Sequence, residues 1–195
     1  MLSLLFPVLC LLFPASSSLQ AQGTVALKTN LLYGGYTATP NLGIEIGLSR
    51  HFTLEVAGGY NPWNLDNTHG HRKRVHYLVQ PELRYFFGTR FDGHYLGVHG
   101  LYGRYNINRH ELPLLLGKGS KEFRYEGAAC GGGVSYGYQF LLGKRWNLEL
   151  GIGVGVMQLE HDRYDCVSCG EKKVAEKRLY YGPTKASVSL IYIIR

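Results

Sequence analysis

Read at every second position, several stretches of the chain are apolar on one side and polar or very small on the other. From Trp146 to Val156 the even positions carry Trp146, Leu148, Leu150, Ile152, Val154 and Val156, and the odd ones carry Asn147, Glu149, Gly151, Gly153 and Gly155. A period of two belongs to a β-strand with two unlike faces. The same alternation runs through Leu42, Ile44, Ile46 and Leu48, through Phe52, Leu54 and Val56, and through Val75, Tyr77, Val79, Leu83, Tyr85 and Phe87. Weaker alternation covers Val25 to Tyr33, Tyr95 to Tyr105, Ala128 to Leu142 and Tyr180 to Ile194, which makes eight expected strands. Pro81 and Pro183 fall inside two of them and predict local breaks in the ladder, because proline has no N–H to donate.

The links between these strands alternate in length. Short ones fall at Arg50 and His51, at Gly88 to Gly93 and at Gly143 to Arg145. Longer ones run from Asn61 to Arg74, Asn106 to Arg124 and Tyr164 to Leu179, with a moderate first link from Gly34 to Pro40. Short turns on one rim and long loops on the other predict an all-β, eight-stranded antiparallel transmembrane barrel in a bacterial outer membrane, with both termini periplasmic.

Which face points outward decides between this reading and a periplasmic lipocalin-like binding barrel, which carries its apolar residues inward around a ligand. The polar face carries Lys28, Glu45, Glu55, Glu82, Arg84, Glu149 and Lys185 among glycines and other small residues. Charges of both signs can pair inside a narrow barrel, whereas against lipid each is heavily penalised. Aromatic residues sort to the strand ends: Phe52, Tyr85, Phe87, Phe140, Trp146 and Tyr192 near the short turns, and Tyr33, Tyr60, Trp63, Tyr77, Tyr102 and Tyr180 near the long loops. Two such girdles are the expected interfacial belts. Side chains fill the lumen of an eight-stranded barrel, so the interior charges read as a structural network and not as a pore.

Composition agrees with an exported single domain. The 195 residues include 26 Gly and 15 Tyr, and beyond the first segment no uncharged apolar run reaches the length of a membrane helix. Residues 1–21 read as a signal peptide: an apolar run from Leu4 to Phe13, then Ala15 and three serines, with cleavage expected after Ala21. Residues 22–195 then form the barrel domain. The formal net charge of +7 does not argue for nucleic acid in an exported chain, because the basic residues cluster in loop segments; anionic lipid or polysaccharide is the expected neighbour.

Candidate chemistry is sparse. Cys166 and Cys169, in DCVSCG, have the spacing of half a metal knuckle, with His161, His69 and His71 as conceivable further ligands. In an oxidising compartment a local disulfide is the expected state, and no cofactor is expected. Cys130, on a strand among glycines, reads as a buried small hydrophobe. A lipid-modifying enzyme would need a nucleophile and a base at the outer rim, and His69, His71, His76, His161 and Ser168 are the residues on offer, but none sits in a nucleophile motif. The chain therefore reads as non-enzymatic. In the third long link, Leu112 to Leu116 form an apolar patch framed by basic residues, suited to a partner or to folding over the mouth.

The segment Ala26 to Trp63, ALKTNLLYGGYTATPNLGIEIGLSRHFTLEVAGGYNPW, resembles a family of Bacteroidota proteins known as domain of unknown function 3575, as do Lys144 to Leu150, KRWNLEL, and Tyr181 to Ile194, YGPTKASVSLIYII. The resemblance implies a small outer-membrane barrel and brings no established activity. The ending also resembles the signal read by the barrel-assembly machinery, with Lys185, Ser187, Leu190 and Tyr192 at its polar, small, hydrophobic and aromatic positions, although Arg195 stands where a terminal aromatic is usual. The expected partners are thus outer-membrane lipid, lipopolysaccharide and, during biogenesis, that machinery. A surface partner is left unspecified, and the expected role is structural or one of surface contact.

Overall fold

The computed structural model describes residues 24–37, 39–62, 74–108, 124–164 and 172–194. Eight antiparallel strands, β1 (Val25–Asn30), β2 (Asn41–Gly47), β3 (Phe52–Asn61), β4 (Arg74–Phe86), β5 (Gly93–Asn108), β6 (Arg124–Leu141), β7 (Trp146–Tyr164) and β8 (Lys172–Ile194), close into a barrel in chain order. β1 and β8 seal it, from Val25↔Ile194 to Asn30↔Ser189. The expected strand count and closure are what the chain forms. Closure leaves no long edge at the level of β1, so backbone groups are satisfied around the ring.

The strand alternation sets the faces as the sequence reads. The outer wall exposes Leu42, Ile44, Leu54, Val56, Leu83, Leu96, Val98, Val134, Leu150 and Ile152, while Glu45, Glu55, Glu82, Arg84 and Glu149 are buried within. Both prolines interrupt pairing. Val79↔Tyr102 and Glu82↔His99 flank a gap in the β4–β5 ladder at Gln80 and Pro81, and the β7–β8 register shifts between Gly153 and Val154, opposite Pro183.

Three expectations need correction. The first strand does not reach Tyr33: it ends at Asn30 and the chain turns into a short helix, α1 (Leu31–Thr37). Asn30 starts that helix, its Oδ1 accepting from Leu32 N at 3.1 Å, the usual role of an N-cap asparagine. Tyr180 faces inward and packs against Leu101, Ala129, Met157 and Leu159, and its neighbour Tyr181 is the exposed one. The register shift at Pro183 inserts an extra residue, Thr184, and reverses the alternation above it. Cys130 is exposed on the outer wall, in step with Val134, Tyr136 and Phe140.

Candidate functional site

The lumen is filled in three layers. At the short-turn end, Phe91 sits in the β4–β5 turn with φ 65°, and its ring packs against Ala26 and Ile191 beneath the barrel. Asn147 Nδ2 donates to Phe91 O at 2.7 Å. Phe86 stands above, its ring centroid 5.4 Å from that of Tyr95. A non-glycine residue in the left-handed region costs on the order of 1–2 kcal/mol, which the burial of a phenyl ring offsets.

Above this plug lies the charge network. Glu45, Glu55 and Glu82 are direct neighbours across three adjacent strands, through Glu45↔Glu55 and Glu55↔Glu82. Like charges in that arrangement repel, and the arrangement persists because cations reach all three. Arg84 is the hub. Its Nη1 donates to Glu45 Oε2 and Glu149 Oε2, each at 2.9 Å, and its Nε and Nη2 donate to Glu82 Oε2 at 2.9 and 2.7 Å. It also pairs with Glu55 and lies over the Tyr95 ring, 4.6 Å from the centroid. Lys28 Nζ donates to both oxygens of Glu149 at 2.6 Å and to Glu55 at 3.1 Å. Lys185 pairs with Glu82 and lies 3.8 Å from Glu55.

All seven network residues named from the sequence are therefore brought together, each at 8 % exposure or less. Four carboxylates face three cations, so neutral donors share the load. Thr53 donates to Glu45 at 2.7 Å, Gln139 to Glu149 at 3.0 Å, Ser187 to Glu149 at 3.3 Å, and Ser135 to Glu82. Alternation alone gave no reason to pick out these neutral residues, because Ser, Thr and Gln suit either face of a strand. The glycines opposite them make the room. A Cβ on Gly151 would lie 2.6 Å from Ser187 Oγ and 2.8 Å from the Tyr95 hydroxyl.

The third layer, toward the long loops, is apolar on one side, with Leu101, Ala129, Met157 and Leu159 buried and Leu78, Tyr105 and Tyr180 packed on them. On the other side a cavity of about 30 Å³ remains, lined by Lys28, Tyr33, Asn41, Glu55, Gln80 and Lys185 among others. Ser189 lines it too, and Gln80 Nε2 and Ser189 Oγ have no hydrogen-bond partner among the described residues; such a space is large enough for one ordered water. His99, also buried, has its Nε2 2.8 Å from Thr184 Oγ1.

Among the described residues no group of three or more His, Cys, Asp or Glu is arranged to hold a metal ion. Cys166, Cys169, His69, His71, Ser168, Trp63, Leu112 to Leu116 and the leader 1–21 lie outside the described residues, and of His161 only the backbone is described. Chemically, the interior is a packed network of paired charges with one carboxylate in excess. Its ionic groups are paired with one another, and Lys28, Glu55 and Lys185 among them also border the small cavity.

No curated protein and no solved structure matches the chain. Residues 7–194 match the family described as Protein of unknown function (DUF3575), and with nearly its whole length covered the chain belongs to that family.

Proposed function

We propose that this protein is an integral barrel of a bacterial outer membrane, of the Bacteroidota type that the family resemblance suggests. Its task is to anchor and display its long-loop end and to contribute to envelope integrity, not to catalyse a reaction. The supporting observation is the inverted distribution of residues. Along β7 the outward positions run Trp146, Leu148, Leu150, Ile152, Val154 and Val156 before the first polar one, Gln158. At ~3.3 Å per residue and a tilt of about 40°, the stretch from Trp146 to Val156 rises about 25 Å, the height of the lipid-facing band of such barrels. On β5 the same band ends at Arg104, and on β7 and β8 the exposed pair of Glu160 and Lys177, 2.8 Å apart, lies above it. Rings of Tyr60, Tyr77 and Tyr102 above, and of Phe52, Tyr85, Phe140 and Trp146 below, edge the band.

A soluble barrel with this outer wall would present hundreds of square ångströms of contiguous apolar surface to water. In lipid the same wall is solvated and the charges stay inside. No described helix is long and apolar enough to cross a membrane, so insertion falls to the strands. Residues 1–21 serve export, the final strand is read by the barrel-assembly machinery, and lipid and lipopolysaccharide surround the product.

Fractionation of cells producing the full chain tests this. The expected result is recovery in the outer-membrane fraction, resistance to alkaline extraction, and faster gel migration before boiling than after. Recovery in the periplasmic fraction would replace the proposal with the lipocalin-like one.

A further inference from the structure

The barrel wall is not equally tall all round. β1 pairs with β8 only as far as Asn30↔Ser189, and the chain then leaves as α1. Asn30 extends the seam by one step, its Nδ2 donating to Ala186 O at 3.0 Å and its Oδ1 accepting from Val188 N at 3.2 Å, and α1 rests against β8. β8 continues to Lys172, held on its other side by β7 as far as Tyr164↔Lys172. Over Lys172 to Tyr180 no strand lies on the β1 side among the described residues. Lower down, alternate residues of β8 are buried; here Lys177, Arg178 and Leu179 are all exposed. At Lys177 to Leu179 solvent therefore reaches both faces of the strand.

An open edge offers a row of N–H and C=O groups that another extended chain can pair with. Side chains decide which chain. Residues 172–179 read KKVAEKRL, four basic residues against one acidic. A second copy would bring the same basic edge alongside, and like charges opposite each other repel. An acidic strand is attracted by the same groups.

We propose that the Lys172 to Tyr180 edge of β8 binds an extended acidic segment of a partner protein as an added strand. The segment places carboxylates opposite Lys177 and Arg178 and an apolar side chain opposite Leu179. Backbone pairing supplies most of the affinity and the alternate side chains the selectivity. The proposal rests on the reading above in one respect, the outward display of this rim.

The test uses the full barrel in detergent micelles and a strand-forming peptide that repeats Glu-Glu-Val, which sets two carboxylates opposite Lys177 and Arg178 and a valine opposite Leu179. The expected result is saturable binding with slowed exchange at the alternate amides of 172–180 that face away from β7. The matching Lys and Val peptide, and the acidic peptide N-methylated at alternate residues, should bind at least about tenfold more weakly. A K177E/R178E variant, with its unboiled gel mobility unchanged, should lose the acidic peptide and gain the basic one. Equal binding of the N-methylated peptide would overturn the proposal, because charge without strand pairing would then suffice. So would protection, without peptide, of those alternate amides of 172–180 that face away from β7. Binding by the purified barrel but not by intact cells would overturn only the outward display and leave the edge chemistry standing.

Discussion

Arg84 is the residue whose removal tests the interior most directly. Replacing it with Met keeps most of the volume and deletes the charge. Arg84 is fully buried and is paired with Glu45, Glu55, Glu82 and Glu149. Without it, Glu45 keeps, among the described residues, Thr53 at 2.7 Å and Gln139 at 3.4 Å, and four carboxylates face two lysines. Removing one partner of a buried ion pair costs about 3–5 kcal/mol, and a hub serving several carboxylates belongs at the upper end. With a urea slope of about 2 kcal/mol/M, a loss of about 5 kcal/mol moves the unfolding midpoint down by about 2.5 M. Neutralising the stranded acid as well, in R84M/E45Q, restores the original excess of one negative charge and should recover at least half of the loss, since a buried pair replaced whole is often near neutral. The assay is urea unfolding in micelles followed by tryptophan fluorescence and by unboiled gel mobility. A loss under about 1 kcal/mol for R84M, or strict additivity of R84M with E45Q, would refute the network account, because contacting groups in one network must couple.

The other expectations concern the wall. Ile152→Arg, in mid-band on an exposed position, should cost about 2–4 kcal/mol of folding into lipid vesicles, and Gln158→Arg, above the band, about 0–1; equal costs would remove the lipid from the explanation. Gly133→Ala should destabilise by about 1–3 kcal/mol, because a Cβ there meets Val154 O and lies 2.8 Å from Gly155 Cα. Gly34→Ala, with nothing within 4 Å, should be neutral or strengthen α1 by up to about 1 kcal/mol, and thermal unfolding of the two variants separates them. In a C166S/C169S background, Cys130 should react with a thiol reagent in the folded barrel; reaction only after denaturation would return it to the lumen.

The barrel was legible in the chain because lipid-type and lumen-type faces differ at every second residue, and Leu42 to Leu48 and Trp146 to Val156 carry that difference without interruption. The network residues followed from it, since charges on the polar face of a narrow cylinder have only one another as partners. Other features were hidden for local reasons. α1 begins with a cap at Asn30, a signal that was present, but Gly34 and Gly35 weaken helix propensity and the preceding alternation runs straight into it. Tyr180 inverted because one inserted residue at Thr184 flips every side chain above it. Cys130 shares its parity with Val134 and Phe140, and counting from those two places it outside, against the pull of its glycine neighbours. Phe91 lies in a turn, where periodicity says nothing, so a ring that closes the base left no trace in the pattern.

The asymmetry of the wall separates what the chain needs to fold from what it shows. The plug, the network and the apolar band all lie at or below the level of Gln158 and Leu179, whereas β7 and β8 run on to Tyr164 and Lys172. If the extension is displayed surface and not scaffold, it can be removed at a paired position. Glu160 and Lys177 are such a pair, partners in the ladder and 2.8 Å apart through their side chains. Replacing 161–176 with Asn-Gly closes the hairpin there with a two-residue turn suited to antiparallel strands. The shortened chain should keep its unboiled gel mobility and lose less than about 1 kcal/mol, because the deleted strand residues belong to neither the network nor the band. The acidic peptide should bind at least about tenfold more weakly, since the edge from Lys172 to Glu176 is gone and Lys177 now abuts the turn. A shortened chain that fails to fold would assign the extension to the barrel's own stability, and one that binds the peptide undiminished would place the binding surface elsewhere.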